Sequence, residues 1–106
     1  MTEVALGKFR IKPDRKQEWI KWCEELNRRR DEVLETLRNE GVLVEACFLS
    51  PDEDCIYYFM EAENFEKARK AYRASPYPID EEHRRHRRAS MEEVEELRCL
   101  FYFKNR

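Results

Sequence analysis

Two eight-residue segments near the middle of the chain decide its class. VLVEACFL, residues 42–49, and CIYYFMEA, residues 55–62, are rich in β-branched and aromatic residues, with the turn residues Pro51 to Asp54 between them. They form a β-hairpin. Side chains alternate across a strand, so with this turn one face carries Val42, Val44, Ala46, Phe48, Tyr57 and Phe59, and the other Leu43, Cys47, Leu49, Ile56, Tyr58 and Met60. Both faces are apolar. A sheet built on this hairpin needs cover on each side, because monomers rarely expose a large contiguous apolar patch.

The flanking segments supply cover for one side. Val4 to Ile11 is a first strand with Val4 and Leu6 on one face and Phe9 and Ile11 on the other, stopped by Pro13. Asp14 and Gln17 have the spacing of a capping box, and Gly41 suits the position just past a helix end. Between them Trp19, Trp22, Cys23, Leu26, Val33, Leu34 and Leu37 recur at three-and-four spacing on an otherwise charged segment. A helix of roughly 26 residues at 1.5 Å each is about 39 Å long, well beyond a strand of about eight residues, so it must overhang the sheet or bend.

Asn64 caps a second helix over Phe65 to Arg73, which Ser75 and Pro76 end. SPYPIDEEHRRHRRAS then reads as a loop followed by a short polar helical turn from Asp80, and Leu97 to Phe103 as the last strand. The order βαββαβ gives an α+β chain of ferredoxin-like type, a four-stranded antiparallel sheet with helices on one face. A second copy of the chain is the simplest cover for the other face, and a homodimer is expected.

At 106 residues the chain fits a single domain, 1–106. With 21 basic against 23 acidic residues and a net charge of -2, it lacks the field of a dedicated nucleic-acid binder. No apolar run is long enough to cross a membrane, and MTEVALGKFR lacks the pattern of a signal peptide. Cys23, Cys47, Cys55 and Cys99 are far apart without zinc-ligand spacing, so they read as free thiols of a reducing, cytoplasmic protein.

Few residues carry chemistry. Glu45 is the one charge in an apolar strand, and an unpaired buried carboxylate is costly unless its pKa shifts or a partner is found. Arg30 continues the apolar stripe of the long helix, four after Leu26 and three before Val33, so it is expected to point inward and meet Glu45, either as a structural ion pair or in a ligand pocket. His83 and His86 lie three apart on one side of the polar turn. His83 is placed at the mouth of a pocket as proton donor or acceptor, whereas neither histidine has metal-site spacing. Tyr57, Tyr58, Phe59, Tyr102 and Phe103 read as core or interface before stacking platform, and the runs Arg28 to Arg30 and Arg84 to Arg88 as solvated faces.

The βαββαβ order serves many functions. CIYYFMEA lacks the opening of an RNA-recognition motif, and IKPDRK lacks the phosphate cradle of an acylphosphatase. Through FRIKPDRKQEWIKW, NEGVLVEACFL and SPYPIDEEH, over nearly its full length, the chain resembles a small uncharacterised family of the dimeric α/β-barrel superfamily, which includes antibiotic-biosynthesis monooxygenases and L-rhamnose mutarotase-like proteins. The resemblance implies back-to-back sheets and a small-molecule pocket between sheet and helices, with Glu45, Tyr58, Arg30 and His83 as its polar candidates. It implies an isomerase or monooxygenase-like enzyme with Glu45 and His83 as catalytic acid and base, Arg30 and Tyr58 on the substrate, and no cofactor. The competing expectation is a non-catalytic module that binds RNA or a protein through the second sheet face.

Overall fold

A computed structural model describes residues 1–51 and 54–105. Strand β1 spans Glu3–Ile11, a 3-10 turn Pro13–Arg15, helix α1 Lys16–Arg28 and helix α2 Arg30–Glu40. Strands β2, Val42–Leu49, and β3, Cys55–Ala62, follow, then helices α3, Phe65–Arg73, and α4, Pro78–Ser90, and strand β4, Met91–Leu97. The antiparallel sheet has the order β2-β3-β1-β4, with the two central strands taken from the two halves of the chain. This is the ferredoxin-like arrangement.

The expected hairpin forms, with Leu49 opposite Ile56 and Cys47 opposite Tyr58. Its turn at residues 52 and 53 lies outside the described residues. One detail differs. The register shifts between Val42 and Val44, so Val42 pairs with Ala62 and packs with Ala62 and Ala68 on the helix side, while Leu43 is left exposed. A bulge inserts one residue and exchanges the faces on either side of it. Glu45 accordingly shares the helix-side face with Cys47, Tyr58 and Met60.

The long amphipathic segment bends, as its length requires. Arg29, at φ -103° and ψ 39°, leaves the helical region and separates α1 from α2. Its amide donates to both the Glu25 and Leu26 carbonyls, at 3.0 and 3.1 Å. Its guanidinium reaches Glu82 of α4 with two bonds, 3.0 and 2.7 Å, and also bonds Glu32. The break shifts the phase of α2, which places Arg30 on the exposed side. The capping box at Asp14 is also absent: Pro13 starts a 3-10 turn that takes up Asp14, and α1 begins at Lys16 without a side-chain cap. Gly41 ends α2 at φ 74°, and Asn64 caps α3 by accepting from the Lys67 amide at 2.9 Å.

The largest departures follow Pro76. The polar turn is a 13-residue helix, α4, with Pro78 in its first turn, and the last strand is MEEVEEL and not the apolar segment after it. The core packs Phe9, Ile11, Trp19, Trp22, Ile56 and Ile79 between sheet and helices. Residues 98–105 leave the sheet and return to its open face. There Tyr102 and Lys104 bond Glu61 at 2.9 and 3.0 Å, joined by Thr2 at 2.7 Å. These three partners hold Glu61 at about 2, well below the usual carboxylate range. They cover it as a thin layer, leaving only 2% of it exposed although it is not deep in the protein.

Candidate functional site

The helices do not close fully on the sheet. Between β1, β2 and β3 on one side and α1 to α4 on the other lies a cavity of about 390 Å³. That is in the range of roughly 300–1,000 Å³ usual for small-molecule pockets. Leu26, Val33, Leu37, Met60, Phe65 and Ile79 form apolar walls, and Gly7 helps to keep the floor open. A Cβ on Gly7 would stand 3.0 Å from the Phe9 ring, which leans across it.

Glu45, Tyr58 and His83 all line this cavity; Arg30 does not. Arg30 is exposed and makes no ion pair with Glu45, because the break at Arg29 turned it outward. His83 lies in the cavity wall, and both its ring nitrogens are engaged. The Trp22 indole N–H donates to His83 Nδ1 at 2.9 Å. An indole nitrogen only donates, so Nδ1 is bare and the ring proton sits on Nε2. That Nε2–H then donates to the Tyr58 hydroxyl at 3.1 Å. The Tyr58 hydroxyl lies close enough to Glu45 to favour its charged form. Trp22, His83 and Tyr58 form a hydrogen-bond chain with one direction, and it ends beside Glu45.

Burial, reinforced by the charges of Arg87, His86 and Arg84, lowers His83 to about 3, and the ring stays neutral at ordinary pH. At the other end, crowding by protein raises Glu45 and outweighs the opposing effects of Tyr58 and Arg87. Glu45 lines the cavity and is itself exposed by surface area, yet protein atoms crowd its carboxyl and disfavour charge there. Burial and the nearby Glu45 carboxylate push the Tyr58 hydroxyl well up. Of these groups, Glu45 is therefore the one that can exchange a proton.

A second cluster lines the cavity beside the start of α4. Thr36 donates to Asp80, which also accepts from Ser75, and Thr36 Oγ1 lies 3.3 Å from Glu40 Oε2. One hydroxyl hydrogen cannot serve two carboxylates. With that hydrogen on Asp80, Glu40 satisfies its contact by keeping its own proton. Consistently, burial and the charges of Asp80 and Glu45 raise Glu40 to about 7.

Sequence reasoning missed Arg87. It belongs to the basic run read as solvated, and its neighbours Arg84 and Arg88 do pair with Glu81. Arg87 instead enters the cavity and stands over the Phe9 ring at 5.1 Å. Its position four residues after His83 was the available signal. His86 stacks on Trp22 at 4.4 Å, and among the described residues no cluster could hold a metal. No disulfide joins the cysteines; the interaction between the Cys23 and Cys47 thiols raises the first and lowers the second.

A family of unknown function, DUF6176, matches residues 2–104. The chain belongs to that family. The DUF6176 chain is also similar to solved structures that share its fold. One is described as an antibiotic biosynthesis monooxygenase candidate from Bacteroides thetaiotaomicron, with a TM-score of 0.69 and 15% identity over 98% of this chain and 92% of that one. A conserved protein from Methanosarcina mazei Go1 gives 0.63 and 16% over 92% and 89%. Another monooxygenase candidate, from Nitrosomonas europaea, gives 0.61 and 14% over 95% and 100%. At these identities the likeness establishes the ferredoxin-like fold. No curated protein matches the chain significantly.

Proposed function

We propose that this DUF6176 protein binds a small molecule in the cavity and moves a proton on it, in the manner of an isomerase, with Glu45 as the exchanging group. The observation that carries the reading is the placement of Glu45: a carboxyl raised by its surroundings, in the cavity lining beside the end of an ordered hydrogen-bond chain. Tyr58 lines the cavity beside Glu45 and would contact the ligand. His83, with both nitrogens bonded and its pKa lowered, is a positioning residue that fixes Tyr58. The raised carboxyl in the cavity lining favours proton transfer over the monooxygenase-like alternative. The likeness in fold to monooxygenase candidates supports a pocket at this place.

The protein acts as a homodimer and works in the cytoplasm. The open face supports the first: Phe48 is 59% exposed on it and Phe103 of the returning arm 85% exposed. The reduced cysteines fit the second, and among the described residues no helix is long and apolar enough to cross a membrane. Exposed apolar surface also favours a protein over RNA should the chain be a non-catalytic module.

The test is Glu45→Gln. Native mass spectrometry of the purified protein should reveal a retained small molecule, which the variant loses while keeping its melting temperature. A variant that unfolds, from a wild type carrying no ligand, would mean that Glu45 is structural and the module reading is right.

A further inference from the structure

Two hydrogen-bond donors in the cavity lack an acceptor. The Tyr72 hydroxyl of α3 is fully buried with no partner among the described residues. Arg87 of α4 makes a ring contact with Phe9 and no hydrogen bond or ion pair among the described residues. Buried hydroxyls nearly always find a partner, and a guanidinium beside several acids usually does. Both groups line the same cavity, and Arg87 is the nearby charge that acts most on the Tyr72 hydroxyl. None of the nearby acids pairs with Arg87: Asp80 takes Thr36 and Ser75, Glu40 contacts Thr36, and Glu45 lies beside the Tyr58 hydroxyl.

We infer that Arg87 and Tyr72 form a subsite for the carboxylate of a ligand whose apolar body lies against Leu26, Val33, Phe65 and Ile79. This rests on the ligand-pocket reading above and names the class of ligand. A guanidinium offers two parallel N–H groups and the phenol a third donor, which suits the two oxygens of a carboxylate. A phosphate would bring more charge and more acceptors than this donor set serves, next to Asp80 and Glu45. Arg69, one turn before Tyr72, also lines the cavity and adds positive charge.

Calorimetric titration with 3-phenylpropanoate and with its neutral counterpart 3-phenylpropan-1-ol tests the subsite. The carboxylate should bind at least tenfold more tightly than the alcohol. Arg87→Gln should abolish that preference while leaving the affinity for the alcohol unchanged within twofold. Tyr72→Phe removes only an unpartnered hydroxyl, so it should weaken the carboxylate severalfold while the melting temperature holds or rises, a combination that a structural role does not give. Equal binding of acid and alcohol, or a preference that survives Arg87→Gln, overturns the carboxylate subsite and leaves the pocket standing. Binding of neither probe overturns both.

Discussion

At the scale of single residues, the site depends on which groups hold protons. Trp22 fixes His83 in the Nε2–H form. Nitrogen-15 NMR should find one neutral tautomer from pH 8 to pH 5, and Trp22→Phe should give a mixture. Glu40 works in the opposite sense. Its pKa is raised to about 7 in the folded protein, so between roughly pH 4.3 and 7 the native state binds more protons than the unfolded one and stability falls as pH rises. Glu40→Gln keeps the donor to Thr36 without the charge. It should raise stability at pH 8 by about 1–2 kcal/mol, discounted for the solvent that still reaches the site, and give no gain at pH 4. Chemical denaturation at the two pH values measures both. His83, lowered to about 3, makes stability fall as pH drops below about 6.5, so the two slopes oppose each other and single variants are needed to separate them.

At the scale of elements, the joint at Arg29 ties α1 and α2 to α4. Arg29→Ala removes two bonds to Glu82 from a half-buried position and the contact of the guanidinium with the Trp22 ring, 6.0 Å away. It should cost about 1–3 kcal/mol by urea unfolding, whereas Arg30→Ala should be near neutral. The C-terminal arm is held on the open face through Glu61. Because that carboxyl is lowered to about 2, its contribution is complete above about pH 4.3 and is lost as pH falls toward 2. Limited proteolysis with pepsin should therefore cut residues 98–105 before the sheet opens, and Glu61→Gln should make the arm labile at neutral pH.

For the whole molecule, the hairpin, the Gly41 and Asn64 ends of helices and the two-sided sheet were legible because each rests on local chemistry. Hydropathy did not reveal α4. Its inward positions Asp80, His83 and Arg87 are polar because they face a cavity, so the helix carries no continuous apolar stripe. The last strand was misplaced for a related reason: MEEVEEL is an acidic edge strand whose Glu95 lies opposite Lys8, while CLFYF looks like a strand and is an exposed arm. Glu45 was visible as the odd charge in a greasy strand. Arg87 was hidden among arginines that do face solvent, and Arg30 was misassigned because one non-helical residue before it rotated the stripe.

As the proposed proton-exchanging group, Glu45 must hold its carboxyl poised to titrate beside the Trp22, His83 and Tyr58 chain. Carbon-13 NMR of the glutamate carboxyls across a pH titration tests it directly, in wild type and in Tyr58→Phe. Glu45 should titrate above the usual carboxylate range and move higher still when the Tyr58 hydroxyl is removed. A Glu45 that titrates as an ordinary surface carboxylate and ignores Tyr58→Phe would contradict the account.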